Sequence, residues 1–144
     1  MSPEQNKALV HRFIEQVFTK GNIVVADELL AADFRDHTAP PGIAPGLEGA
    51  KQVFAAFRTA FPDLEASIGG LVAEDDKAAI YGTFRGTHRG AFFGIPATGK
   101  QMEMHWIDVY RITGGKIVEV WHVEDFLGML QQLGVGTPLA QPEP

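Results

Sequence analysis

Hydrophobic positions follow two different periods along this chain. Up to residue 61, apolar residues recur every three or four positions, which is typical of amphipathic helices. From Leu64 onward apolar and polar residues alternate, as in strands with one buried face. Helices followed by strands predict an α+β fold, in which the helices pack on a strongly curved antiparallel sheet that encloses a pocket.

Capping and turn residues set the bounds of these elements. Ser2 to Gln5 form a capping box with Pro3 at the first helical position, and the helix that begins there is expected to stop at Lys20-Gly21-Asn22. Residues 33–38 are predicted to be extended and residues 39–42 to be a loop. The other predicted helices span 24–31, 47–60 and 126–133, and the predicted strands span 65–74, 77–88, 100–112 and 116–123.

The remaining segments are connections and a tail. Residues 89–99, rich in glycine and aromatic residues, are predicted to be a lid or the rim of a pocket. The whole pattern indicates one domain over residues 1–134 and a C-terminal tail over residues 135–144.

A carboxylate lies in the middle of an apolar strand face. Asp108 shares its face of the third strand with Trp106 and Tyr110, because side chains two residues apart point to the same side. An unpaired charge there would be costly, so Asp108 needs a partner. A three-residue turn, 113–115, would bring His122 of the next strand diagonally beside it, whereas a two-residue Gly114-Gly115 turn would oppose Asp108 to Trp121. We favour the first register.

Other candidate residues carry weaker signals. His37 and His88 are predicted to lie at the pocket rim and to contact substrate, although an ordinary structural role stays open for both, and Asp36 is also predicted to contact substrate. Glu124 and Asp125 are interpreted as the start of the last helix. No metal site is predicted, because the histidines lack a helical ligand spacing.

Composition excludes several classes of function. The net charge is −6 and the basic residues are scattered, which argues against binding to nucleic acid. The chain has no cysteine, so disulfides and thiolate nucleophiles are excluded. It has no apolar run of about 20 residues and no signal peptide, which predicts a cytoplasmic protein that does not bind membranes.

Several motifs carry a resemblance to a known family. They are the segments 94–100, 108–117 and 125–134, supported by residues 34–37 and 87–90, and together they resemble the SnoaL-like polyketide cyclases. The resemblance implies a cone-shaped α+β barrel and an intramolecular aldol closure without metal or organic cofactor, in which an acidic residue is the base. At the matching positions, His122 replaces the cyclases' aspartate and Asp108 replaces their histidine.

These observations lead to a hypothesis and its alternatives. The protein is predicted to be a cofactor-independent acid–base enzyme that removes a proton next to a carbonyl, with His122 as the base and Asp108 as its orienting partner. Trp106 and Tyr110 would flank an apolar or aromatic substrate. The alternatives are a small-ligand binding module, water activation as in epoxide hydrolases, and a purely structural Asp108–His122 pair. A homo-oligomer through the outer sheet face is also expected.

Overall fold

The computed structural model of the protein describes residues 1–135. The tail predicted over residues 135–144 lies outside this range except for Val135, whose N–H donates to the carbonyl of Leu130 at 3.0 Å. Within residues 1–135 the chain forms four α-helices and five strands. They are α1 (Pro3–Phe13), α2 (Val25–Leu29), β1 (Leu30–Asp36), α3 (Leu47–Ala60), β2 (Glu65–Glu74), β3 (Lys77–Thr87), β4 (Gln101–Thr113), β5 (Lys116–Glu124) and α4 (Phe126–Gln132).

The first helix begins as predicted and then changes its winding. The Ser2 hydroxyl accepts from the N–H of Gln5 and the Gln5 side chain accepts from the N–H of Ser2, which completes the capping box. After α1 the chain continues as a π-helix over Ile14–Thr19. Because this turn is wider, the ring of Phe18 packs edge-on against Phe13, five residues earlier, with centroids 5.9 Å apart.

The sheet is mixed, which corrects the antiparallel prediction. Its strand order is β1-β5-β4-β3-β2, and β1 pairs with β5 in parallel, with Asp36 opposite Val120. The segment predicted to be merely extended is therefore an edge strand. It begins at Leu30, so the second helix ends at Leu29 and not at residue 31. The strong curvature of the sheet stays a prediction.

The β4–β5 register also differs from the prediction. The turn consists of Gly114 and Gly115, both with positive φ, as a two-residue hairpin requires. Ile112 pairs with Ile117, but the preceding residue of β4, Arg111, pairs with Glu119. Val118 is therefore an extra residue in β5, and this bulge shifts the register by one residue. Asp108 therefore lies directly opposite His122, whereas we predicted that His122 would lie diagonally beside it. The predicted sharing of one face by Asp108 and His122 is confirmed.

The core lies between the helices and one face of the sheet. Helix α1 packs on β2 and β3, α3 packs on β1, and α4 packs on β4. Every second side chain of β4 is buried, including that of Asp108, which points into the core as predicted. Among residues 1–135, none of the helices has the length and apolar character to cross a membrane.

Candidate active site

An apolar cavity lies between α1, the π-helix, α3 and the sheet. We call it the inner cavity, and its volume is about 60 Å³. Aromatic rings from the helices form part of its wall, among them Phe13, Phe18 and Phe54. Its polar side chains are Asp36, Asp108, Tyr110, His122 and Glu124.

Asp108 is held at the wall of the inner cavity by two neighbours on its own strand. Its Oδ2 accepts from the Tyr110 hydroxyl at 2.5 Å and from Nε1 of Trp106 at 3.0 Å. Both neighbours are two residues away and therefore on the same face. The residue is 7% exposed. Tyr110 and Trp106 thus leave Oδ1 as the oxygen available to a ligand in the cavity.

His122 lies between two carboxylates, neither of which is Asp108. Its Nδ1 lies 2.5 Å from Oε1 of Glu124, and its Nε2 lies 2.8 Å from Oδ2 of Asp36. Only a doubly protonated imidazolium donates to both oxygens at once. The predicted orientation of His122 by Asp108 is therefore not the contact observed, because both ring nitrogens have other partners.

These surroundings raise the pKa values of Asp108 and His122 and lower that of Asp36. Burial raises the pKa of Asp108 to about 7, with the nearby charge of Glu124 adding to the effect and the hydrogen bond from Tyr110 opposing it. Burial lowers the pKa of His122, but the hydrogen bonds and charges of Asp36 and Glu124 outweigh it and raise that pKa to about 10. Burial raises the pKa of Asp36, and the hydrogen bonds from His122 and Thr38 bring it below its usual value.

The structure separates the predicted substrate-contacting residues into two groups. Asp36 and Tyr110 line the inner cavity, and burial raises the pKa of the Tyr110 phenol well above its ordinary value. Trp106, His37 and His88 are not among the cavity-lining residues, and substrate contact by them stays a prediction. The indole of Trp106 stacks on Phe84, with centroids 4.2 Å apart.

The two predicted rim histidines lie in different surroundings. The His37 ring stacks on Trp121 and its Nε2 lies 2.5 Å from Oε2 of Glu119. His88 is fully buried, and its Nδ1 lies 3.0 Å from the hydroxyl of Thr98. Each ring thus contacts a side chain from another part of the chain, Glu119 of β5 or Thr98 of the loop before β4.

Glu124 is the member of the cluster that the sequence analysis missed. We had interpreted it, together with Asp125, as the start of the last helix. Asp125 does cap α4 by accepting from the N–H of Gly128 at 2.9 Å. Glu124 is still in β5, two residues after His122 and on the same face. This spacing of two was the signal that could have identified it.

Three side chains of this cluster lie close enough together to bind a metal ion. Asp108, His122 and Glu124 each offer one ligand atom, and these atoms lie within 4.8 Å of one another. A metal ion needs the neutral imidazole, however. With the pKa of His122 at about 10, a proton competes strongly for that position near neutral pH. The proton that His122 shares with Asp36 and Glu124 would have to leave before a metal ion could bind.

The fold and the site together define a class of protein. A small α+β domain with an apolar cavity, few convergent polar groups and strongly shifted pKa values is typical of proteins that bind or convert small organic molecules.

Comparisons with known proteins identify the family. The model of the SnoaL-like polyketide cyclases matches residues 8–133, and the chain belongs to this family. It is 31% identical over 149 residues to aklanonic acid methyl ester cyclase DauD of Streptomyces sp. (strain C5), covering 96% of this chain and 86% of DauD. Among solved structures, it is similar to TsrD from Streptomyces laurentii, with 28% identity, a TM-score of 0.85 and coverage of 94% and 99% of the two chains. IdmH from Streptomyces antibioticus is 34% identical, with a TM-score of 0.78 and coverage of 91% and 99%.

Proposed function

We propose that the protein is a cyclase that removes a proton next to a carbonyl group and closes a ring by an intramolecular aldol reaction, with Asp108 as the general base. The substrate class is an apolar or aromatic carbonyl compound, as the apolar wall of the inner cavity and the similarity to DauD suggest. The observation that carries the proposal is Asp108, a carboxylate buried in that wall with a pKa of about 7. General bases are most effective when their pKa lies near the working pH.

The proposed reaction moves protons and forms one carbon–carbon bond. Asp108 takes the proton through Oδ1, and the electrons of the broken C–H bond form an enolate. The enolate carbon attacks a second carbonyl of the same molecule, and the resulting alkoxide takes the proton back from Asp108. The step is redox-neutral, so side chains of this chain suffice for it. Tyr110 and Trp106 hold the carboxyl group in one orientation throughout.

His122 has an electrostatic role in this proposal. Its imidazolium charge and the Asp108 carboxyl group lie within 4.8 Å of each other. A fixed positive charge in a poorly solvated site stabilises negative charge that develops on an enolate oxygen. The roles suggested by the sequence are thereby exchanged, because a histidine with a pKa of about 10 is already protonated near neutrality and cannot accept a proton.

Two experiments test the proposed activity directly. Purified protein is incubated with aklanonic acid methyl ester, the compound in DauD's name, and an isomer of unchanged mass is sought by chromatography and mass spectrometry. The same incubation in D₂O reports proton removal as deuterium gain beside the carbonyl, even where ring closure does not follow. Ligand binding without either signal, for this ester and for related aromatic keto esters, would favour the binding-module alternative.

The pH profile of kcat/KM distinguishes the two candidate bases. If Asp108 is the base, kcat/KM rises with pH through about 7 as its carboxyl group loses a proton, and falls near 10 as His122 loses its charge. If His122 were the base, kcat/KM would rise only through about 10. Initial rates measured from pH 5 to 11 separate these outcomes. A profile that still rises at pH 9 would contradict the assignment.

The epoxide-hydrolase alternative receives no support from the geometry. Arg111 points to the outer face of β4, where its guanidinium pairs with Glu119. It therefore does not stand beside Asp108. The cytoplasmic location and the homo-oligomer through the outer sheet face stay predictions.

A further inference from the structure

A second concave region lies directly outside the candidate active site. We call it the outer groove. Four segments form it: the loop after β1 (residues 38–41), the loop before β4 (residues 92–95), the end of β5 and helix α4. Its wall is apolar apart from Thr38, His122 and Glu124.

The outer groove and the inner cavity share two residues. His122 and Glu124 line both regions, so this ion pair forms the boundary between them. Thr38 ties the groove to the same cluster, because its hydroxyl accepts from the N–H of His122 at 2.9 Å and donates to Oδ1 of Asp36 at 3.2 Å. A ligand in the groove therefore lies next to the acid–base cluster.

The two regions differ greatly in size. The inner cavity has a volume of about 60 Å³, and the outer groove has one of about 470 Å³. On this measure a single water needs about 10 to 15 Å³, so the inner cavity holds only a few atoms, whereas sites for larger organic ligands span roughly 300 to 1,000 Å³. Only the reacting end of a multi-ring substrate fits beside Asp108. The rest of such a molecule needs the groove.

Phe93 is an unusual residue in the groove wall. Its backbone has a φ of 44°, a left-handed conformation that residues other than glycine seldom adopt. It is also 53% exposed, although an exposed ring gains little from folding. Its only ring partner among residues 1–135 is Phe92, with centroids 4.8 Å apart. A strained backbone that presents an exposed ring is more often found at ligand sites than elsewhere.

We propose that the outer groove binds the flat, apolar, aromatic body of a substrate whose carbonyl end enters the inner cavity, and that Phe93 stacks on this body and selects for it. This proposal rests on the proposed function in one respect: the orientation of the substrate follows from a reaction that takes place at Asp108. The aromatic wall favours flat rings, because rings stack with an offset or meet edge to face. The cation of His122 at the boundary favours a carbonyl oxygen at the inner end.

The test measures binding to 1,8-dihydroxyanthraquinone, a flat probe with carbonyl oxygens, by calorimetry. Phe93→Gly removes the ring and suits the positive φ, so the protein should stay folded while the Kd rises about five- to tenfold. Leu127→Ala is the matched control, since it removes an exposed apolar side chain of α4 that does not line the groove. Its Kd should stay within about twofold of the wild-type value.

The outcomes also separate this proposal from the proposed function. An unchanged Kd in Phe93→Gly, or an equal loss in Leu127→Ala, would overturn the role of the groove whatever the activity. If the wild-type protein shows no deuterium exchange but Phe93→Gly still weakens probe binding, the groove stands and the cyclase proposal fails. With an accepted substrate, Phe93→Gly should raise KM and leave kcat within about threefold.

Discussion

Replacing Asp108 by asparagine is expected to abolish most of the turnover and yet to make the protein more stable above pH 7. The amide keeps the volume and can still accept from Tyr110 and Trp106, but it has no basicity. The rate should fall by about two to four orders of magnitude, the usual contribution of a general base. Probe binding should stay within about threefold. Single-turnover rates measure the first effect, and full activity in this variant would eliminate Asp108 as the base.

The gain in stability follows from the raised pKa of Asp108. Folding favours the protonated carboxyl group, so its contribution to stability is present at low pH and is lost as the pH rises from 3.8 to about 7. Asparagine does not bear this penalty. Above pH 7 the free energy of unfolding should therefore increase by on the order of 2 to 4 kcal/mol, and below pH 4 it should barely change.

Urea unfolding at pH 4 and pH 8 measures the difference, and Asp36 supplies the matched control. Its pKa is lowered in the folded state, so its contribution to stability is present above pH 3.8 and is lost as the pH falls through the folded pKa. Asp36→Asn should then lose stability at pH 8, the opposite sign to Asp108→Asn. A loss of similar size in both variants at pH 8 would show that burial does not penalise the Asp108 carboxylate.

His122→Ala is expected to destabilise the protein more than any other single change in the cluster. It leaves Asp36 and Glu124 as two half-buried carboxylates without their shared cation. Removing one partner from a buried ion pair costs about 3 to 5 kcal/mol. Turnover should fall as well, because the positive charge beside Asp108 is lost.

The pH dependence of this loss has a definite sign. Because the pKa of His122 rises from 6.5 to about 10 on folding, its contribution is complete below pH 6.5 and is lost as the pH rises through 10. The difference in unfolding free energy between wild type and His122→Ala should thus be largest near pH 6 and should shrink by pH 11. Denaturant titrations at these two values check it, and a difference independent of pH would contradict the charged state of His122.

A second histidine provides the control for this substitution. His37 also lies 2.5 Å from a carboxylate, that of Glu119, but its side chain is 31% exposed, compared with 14% for His122. Exposed ion pairs contribute about 0 to 1 kcal/mol. His37→Ala should therefore cost little. The triple variant His122→Ala, Asp36→Asn, Glu124→Gln should recover part of the lost stability, since it removes the stranded charges.

Much of the fold was predictable because its signals are local. The Ser2 capping box, the bounds of α3 at Leu47 and Ala60, and the strand β2 over Glu65–Glu74 all depend on residues close together in the chain. The alternation along β4 placed Asp108 on the buried face by parity alone, whereas the position of His122 also required an assumption about the turn between β4 and β5. The sequence by itself thus determined which residues face the core.

Contacts between distant segments were decided only by the tertiary structure. The two-residue turn followed by the bulge at Val118 gives β4 and β5 the same parity as the three-residue turn that we predicted, but shifts their register by two residues, and no local signal distinguished the two arrangements. Asp36 meets His122 because β1 pairs in parallel with β5, which brings together residues 86 positions apart. The sequence determined that Asp108 would be buried, but the partners of His122, and with them the more suitable base, depend on strand pairing that only the folded chain defines.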